Sequence, residues 1–300
     1  MHQSLFAQSI AHLPQGSIHA LARTLSLVEN EVPGYNEYLQ QLPYSSTPVI
    51  GITGPPGAGK STLVDALIGH WVQAGKRIAV LCVDPSSPFN LGAVLGDRIR
   101  MNDWYTHPHV FIRSLATRGS LGGLHPKILE LTDVVKQAGF DYVIVETVGV
   151  GQSEIEIAGL ADCTVVAIVP EAGDEVQTMK AGLMEIADLF VVNKADRPGA
   201  DTFVKNLRQM LAPAFQQQKT ISIVKTIASE KEGIADLADA IEAQLSGNTH
   251  NERKYWLQAE KAWHIIQQHR MKGLNKQALQ QMFKAQPQGN LYQLIQPYLQ

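Results

Sequence analysis

Short runs of β-branched and aliphatic residues, each followed by a longer stretch with a helical period, fill the middle of this 300-residue chain. The runs Val49–Thr53, Arg77–Val83, Val110–Ser114, Tyr142–Glu146, Thr164–Val169, Leu189–Asn193 and Ile221–Thr226 read as strands. They are continuously apolar rather than alternating, so both faces of each are expected to be covered. That pattern predicts an α/β domain with a doubly wound, mostly parallel sheet and helices on both faces. Upstream, Ile18, Leu21, Ala22, Leu25 and Val28 fall on one helical face, and the breakers at 33–36 and 43–48 close that region. After Gly247 the pattern is wholly helical. Trp256, Ala259, Trp263 and Ile266 keep a 3–4 spacing, and two short helices are expected to flank Pro287-Gln288-Gly289. The expected division is an N-terminal helical extension over 1–45, an α/β domain over 46–247 and a C-terminal helical region over 248–300.

Composition narrows the classes without adding a site. With 45% hydrophobic residues, 18% charged residues and a net charge of −3, the chain lacks the broad basic field of a nucleic-acid binder. No stretch approaches the roughly 18 apolar residues of a membrane span, and residues 1–10 do not read as a targeting segment. The two cysteines, Cys82 and Cys163, lie inside apolar strand runs and are expected to be reduced core thiols. A cytoplasmic protein that binds neither nucleic acid nor membrane is the expectation.

The chemistry begins at Gly54, Pro55, Pro56, Gly57, Ala58, Gly59, Lys60, Ser61 and Thr62. These fit G-x-x-x-x-G-K-[ST] between the strand Val49–Thr53 and the helical run Thr62–Gln73, the setting a phosphate-binding P-loop requires. Glycines let backbone N–H groups wrap a phosphate, and the following helix presents its N-terminus to negative charge. Lys60 is expected on the β- and γ-phosphates and the Ser61 hydroxyl on Mg²⁺.

Asn193-Lys194-Ala195-Asp196 follows an apolar strand and resembles the N-K-x-D guanine motif. The Asp196 carboxylate can accept from guanine N1–H and N2–H₂ while the Lys194 stem covers the ring. Adenine would leave that acid without donors. Thr226, Ile227, Ala228 and Ser229 come after the last strand and resemble the loop whose backbone touches guanine O6.

The strand ending at Glu146 runs into Thr147-Val148-Gly149-Val150. Many GTPases carry D-x-x-G here, with the acid on or near Mg²⁺ and the glycine on the γ-phosphate. An acid at the carboxyl end of a buried strand is costly unless it faces a site. Asp84 either contacts metal-bound water or caps the following turn. Asp97 lies where a switch belongs, with a solvated surface acid as the alternative. Val150 replaces the glutamine that small GTPases use to orient water, so slow intrinsic hydrolysis is expected, with Gln152 and Arg118 as candidate helpers.

Taken together, the blocks Val83–Pro88, Leu95–Met101, Phe111–Gly119 and Glu146–Glu154 closely resemble the MeaB/ArgK family, bacterial relatives of the human methylmalonic aciduria type A protein. The likeness spans roughly residues 16 to 245. It implies a metallochaperone-class P-loop GTPase serving an adenosylcobalamin-dependent acyl-CoA mutase, usually methylmalonyl-CoA mutase, by gating cofactor loading and protecting the mutase. It places Ser61, Asp84, Asp97 and Glu146 on the metal and switch side. It also makes residues 170–180 an additional switch and implies a homodimer formed through the C-terminal helices. Two features depart from the pattern: His125 stands where a small residue is expected, and the N-terminal extension is short. A nickel or cobalt metallochaperone GTPase, a kinase-like phosphotransferase and a non-hydrolysing GTP-binding protein are the competing readings.

Overall fold

A computed structural model describes residues 15–84, 101–117, 124–149, 154–171, 186–215, 221–247 and 273–298. It also describes residues 6, 12–13, 255, 259, 262–263, 265–267 and 269–271. Two helices open the chain, α1 (Ile18–Glu29) and α2 (Tyr35–Gln40). The α/β part then runs β1 (Val49–Thr53), α3 (Lys60–Gln73), β2 (Ile78–Asp84), β3 (Val110–Ala116), α4 (Ile128–Val135), β4 (Tyr142–Glu146) and β5 (Cys163–Ile168). It continues with β6 (Leu189–Asn193), α5 (Ala200–Phe215), β7 (Ser222–Thr226) and α6 (Ile234–Gly247). Residues 258–300 form a second compact unit holding α7 (Lys276–Ala285) and α8 (Leu291–Ile295).

Among the described residues, seven strands make one parallel sheet in the order β3-β2-β4-β1-β5-β6-β7. From β1 the chain first winds to the β2–β3 edge, returns through β4, and then crosses to β5, β6 and β7. The loop after β1 therefore lies at the point where the winding reverses, the place where α/β sheets bind ligands.

Alternation along each strand explains why the runs are apolar throughout. Ala79, Leu81 and Val83 of β2 enter a layer shared with α1, α2 and α4. Ile78, Val80 and Cys82 enter the opposite layer with α3 and α6. On β6, Phe190 and Val192 pack with Phe203, Val204 and Leu207 of α5. Both cysteines are buried, and neither forms a disulfide.

The N-terminal helix docks on the sheet. Leu21, Leu25 and Val28 are fully buried in the layer that holds Leu131 and Val135 of α4. Ile18, expected on that face, is exposed in the first turn. Thr24 is buried instead, because its hydroxyl donates to Ala20 O at 2.8 Å. The Ser17 hydroxyl caps the helix by accepting from Ala20 N.

Several boundaries differ from the sequence pattern. β2 and β3 extend to Asp84 and Ala116 because they pair without interruption from Ile78↔Val110 to Asp84↔Ala116. Polar Arg113 and Ser114 do not stop β3, which is an edge strand. α3 begins at Lys60 rather than Thr62, with Leu63 N donating to Gly59 O at 2.9 Å.

In the second unit, α7 is capped by Asn275 and α8 by Asn290, whose side-chain oxygens accept from Ala278 N and from Tyr292 N and Gln293 N. Neither helix has a buried residue. Residues 255, 259, 262–263, 265–267 and 269–270 are helical, with Tyr255, Trp263 and Ile266 exposed. Trp256 lies outside the described residues.

Candidate functional site

Carboxyl ends of the strands carry the candidate chemistry, and the loop from Gly54 to Gly59 joins β1 to α3 there. Gly59 adopts φ +84°, and a Cβ on it would stand 2.4 Å from Asn193 Nδ2, so only glycine fits. The first N–H groups of α3 have no partner within the helix and face the loop. Lys60 is buried at the helix start, and its ammonium donates to Gly54 O at 2.9 Å and Pro55 O at 3.2 Å. A cation and helix N–H groups thus converge on one loop, as binding of a polyphosphate requires.

Ser61, in the first turn of α3, meets Glu146 at the carboxyl end of β4. The Ser61 hydroxyl donates to Glu146 Oε1 at 2.7 Å, with both residues buried. Cys82 of β2 pairs with Glu146 of β4, so Asp84 stands two residues further along the neighbouring strand, also buried. A hydroxyl and two carboxylates at adjoining strand ends form an oxygen-only donor set, which suits a hard cation such as Mg²⁺. Asp84 is the last residue of β2 rather than part of the following turn, and its carbonyl accepts from Thr117 N at 3.1 Å. Beneath these acids, the Thr147 hydroxyl donates to Thr53 Oγ1 at 2.9 Å and ties the ends of β1 and β4 together.

Gly149 reaches the same place. At φ +82°, a Cβ there would stand 2.2 Å from Lys60 Nζ, so the glycine backbone lies directly against the lysine tip. Asp97, Arg118, Val150, Gln152 and the candidate switch residues 172–180 lie outside the described residues.

The guanine-type motif is bound to the phosphate loop by its own side chains. Asn193 Nδ2 donates to Ala58 O at 2.9 Å, while Asn193 Oδ1 accepts from Thr226 Oγ1 and Ala228 N, each at 3.1 Å. One buried amide therefore joins three candidate loops. Lys194 holds a left-handed conformation at φ +56°, and its ammonium donates to Gly57 O at 2.8 Å. Asp196 is exposed at the end of the motif, and Ile227 is half-buried between Thr226 and Ala228. Arg197 forms an ion pair with Glu171, the second residue of the candidate extra switch over 170–180.

Sequence reasoning missed two parts of this assembly. One is the brace through Asn193, for which the motif signalled base recognition only. The other is the Thr53–Thr147 bond, signalled by nothing more than a threonine at each strand end.

The geometry has counterparts. A family model described as "Methylmalonyl Co-A mutase-associated GTPase MeaB" matches residues 21–284. The chain belongs to the MeaB family. It is 46% identical over 238 residues to a putative GTPase of Pyrococcus abyssi, covering 77% of this chain and 74% of that protein. It is 40% identical over 253 residues to the GTPase ArgK of Escherichia coli, covering 80% and 76%. The fused isobutyryl-CoA mutase of Geobacillus kaustophilus is 35% identical over 243 residues, which span 76% of this chain and 22% of that protein. A crystal structure of an LAO/AO transport system kinase superposes with a TM-score of 0.70 at 29% identity, covering 96% of this chain and 89% of that one. Like its MeaB-family relatives, this protein binds guanine nucleotide and hydrolyses GTP.

Proposed function

We propose that this chain is a Mg²⁺-dependent GTPase that serves as chaperone to an adenosylcobalamin-dependent acyl-CoA mutase, methylmalonyl-CoA mutase, gating cofactor loading and protecting the mutase. The observation that carries the partner is a fusion. A relative 35% identical to this chain exists as one segment of a fused isobutyryl-CoA mutase, so a domain of this kind works beside an acyl-CoA mutase in one polypeptide. The family description names methylmalonyl-CoA mutase directly.

Within the site, Gly54 to Thr62 hold the phosphates through backbone N–H groups, and Lys60 neutralises the β- and γ-phosphates. Asn193 fixes the loops, Lys194 covers the base and Asp196 accepts from guanine, with Thr226, Ile227 and Ala228 closing the base edge. Ser61, Asp84, Asp97 and Glu146 form the metal side. When bound there, Mg²⁺ supplies neutralisation of charge on the transferring phosphoryl group. Gly149, whose backbone lies against Lys60 Nζ, is assigned to the γ-phosphate. Val150 offers no group to orient water, so intrinsic turnover is low until a partner completes the site. We also assign residues 170–180 to relaying nucleotide state, residues 248–300 to a homodimer interface, and the protein to the cytoplasm.

Two binding measurements test the reading. Titration of GDP and ADP with Mg²⁺ or with a chelator should show tight binding of GDP only, weakened when the metal is removed. Size-exclusion chromatography with methylmalonyl-CoA mutase should show a complex whose stability changes between GDP and a non-hydrolysable GTP analogue. Equal affinity for ADP contradicts the base assignment, and absence of any complex contradicts the partner.

A further inference from the structure

Ile52 and Glu146 are register partners at the ends of β1 and β4, and Thr53 and Thr147 follow them side by side. The alternation before them sets which way they face. Val143 and Val145 enter the layer shared with α1 and α4, while Ile144 enters the α3 layer. Glu146 continues the Ile144 side and meets Ser61 of α3, so Thr147 turns to the opposite side, behind the acid. On β1, Val49 enters the α1 and α4 layer and Ile50 and Ile52 the other, so Thr53 joins Thr147.

Both threonines are buried, and the Thr147 hydroxyl donates to Thr53 Oγ1 at 2.9 Å. The residues before them on that face are Val49, Gly51, Val143 and Val145. Valine has the shape of threonine without the hydroxyl, and replacing both partners of a buried hydrogen bond by apolar groups of the same shape is close to neutral. Core stability alone therefore gives no reason for two hydroxyls here.

What the pair supplies is a hold on the chain past the end of the ladder. β4 stops at Glu146. Thr147, the next residue, is fastened by its N–H to Ile52 O at 3.0 Å and by its hydroxyl to Thr53. Two residues on, the Gly149 backbone lies against Lys60 Nζ. The other end of the bond is fixed independently. Thr53 pairs with Val166 of β5, and Gly54 sits so close to that strand that a Cβ on it would stand 2.0 Å from Ala167 O. The bond thus runs from a fixed point at the start of the phosphate loop to the segment joining Glu146 to Gly149.

We propose that Thr53 and Thr147 are positioning residues for GTP hydrolysis. Their hydroxyl bond holds residues 146–149 against the phosphate loop and keeps the Glu146 carboxylate beside Ser61. The inference rests on the reading of Ser61 and Glu146 as metal-side residues given above. It goes beyond that reading by assigning a role to two hydroxyls on the opposite face of the sheet. The contacts that knit the phosphate and base loops run through Asn193 and Lys194, not through this bond. Its loss should therefore affect metal engagement and turnover while leaving the grip on nucleotide intact.

The test uses the full chain with Thr53→Val, Thr147→Val, the two together, and Thr147→Ser. Valine keeps the methyl packing and removes the hydroxyl; serine keeps the hydroxyl and removes a methyl. Three quantities are read: kcat for GTP, affinity for a fluorescent GDP analogue without metal, and the Mg²⁺ concentration that half-saturates the metal's effect on that binding. Each valine should lower kcat about five-fold, the scale of one neutral hydrogen bond. Each should raise the half-saturating Mg²⁺ concentration by at least about three-fold. The double variant should go no further than the single ones, because the same bond is lost, and its urea midpoint should stay close to wild type. Thr147→Ser should keep kcat and the Mg²⁺ requirement near wild type. Metal-free affinity for the analogue should stay within about two-fold in all four.

Unchanged kcat and Mg²⁺ requirement in the valine variants would overturn the inference. So would a defect in Thr147→Ser larger than in Thr147→Val, the mark of a packing role, or a loss of nucleotide affinity that keeps pace with kcat. Glu146→Gln separates the two levels. If it raises the Mg²⁺ requirement and Thr147→Val does not, only the hydroxyl bond fails; if it leaves that requirement unchanged, the metal-side reading fails and the inference with it.

Discussion

Carboxylates stand at both ends of the strands, and the two ends use them differently. At the amino ends, Asp141, Asp162 and Asp188 accept from the backbone N–H groups of Arg77, Val49 and Thr164 at 2.8–2.9 Å, each fixing the start of a neighbouring strand. At the carboxyl ends, Glu146 meets Ser61 and Asp84 lies alongside, both buried beside the phosphate loop. Asn193 is the residue whose loss should reach furthest. Asn193→Ala leaves Ala58 O and Ala228 N without their buried partner, a penalty of about 1–3 kcal/mol for each group. Chemical denaturation should register a destabilisation of about 3 kcal/mol, and GDP affinity should fall with it. Asp196→Ala, at an exposed position, should leave stability unchanged while lowering GDP affinity about a hundred-fold, as loss of a charged hydrogen-bond pair dictates. Calorimetric titration checks both. Far from the site, burial and then the nearby Glu242 carboxylate push the Tyr142 hydroxyl up to about 12. The fold therefore favours the neutral phenol. That contribution is complete below the ordinary tyrosine value near 10 and is lost as pH rises toward 12. Unfolding midpoints measured across that window should fall more steeply in wild type than in Tyr142→Phe.

At the scale of elements, the strands and the phosphate loop were legible because short-range pattern determines them. β1, β4 and β6 begin and end where their apolar runs do, and the loop follows its strand directly. What the pattern could not carry was long-range. Trp104 and Asp65 are 39 residues apart, and no periodicity announces that they meet. His125, conspicuous in the sequence without a reason, finds one in three dimensions. Its Nδ1 accepts from Lys127 N at 3.0 Å, so that nitrogen carries no proton, and its Nε2 faces Glu29 Oε1 at 3.7 Å. Glu29 also pairs with Arg113 at 2.5 Å, and Arg113 donates to Ala22 O and Ser26 Oγ. One polar cluster thereby bolts α1 to edge strand β3 and to the segment entering α4. Lys127 extends it to Glu31 and Glu130; burial pulls its pKa down, but the Glu31 hydrogen bond and the charges of Glu130, Tyr35 and Glu31 outweigh that and hold it above the ordinary lysine value. Arg113→Met should destabilise by about 3 kcal/mol because it strands Glu29 in a partly buried site. Adding Glu29→Met should cost less than the sum of the two single changes. A double-mutant cycle in urea reads the coupling. Leu25→Ala, fully buried in the same helix, should cost about 2–5 kcal/mol by its cavity alone.

Across the whole molecule, the sheet's reversal at β1 places every described nucleotide motif at one edge, although the motifs are scattered from residue 54 to residue 228. The sequence order of those motifs was readable, but their mutual bracing through Asn193 was not, because an amide that bonds three loops looks like any other asparagine. The helical unit from 258 onward carries exposed Trp263, Ile266, Leu291 and Tyr292, consistent with the subunit interface proposed for it. Coupling between nucleotide and mutase is the central claim, and turnover reads it most directly. GTP hydrolysis should be measured with and without the organism's own methylmalonyl-CoA mutase, against an ATP control. GTP alone should be hydrolysed slowly, faster once the mutase is added, and ATP not at all. A GTP rate indifferent to the mutase would contradict the chaperone assignment and leave a MeaB-family GTPase with a different client.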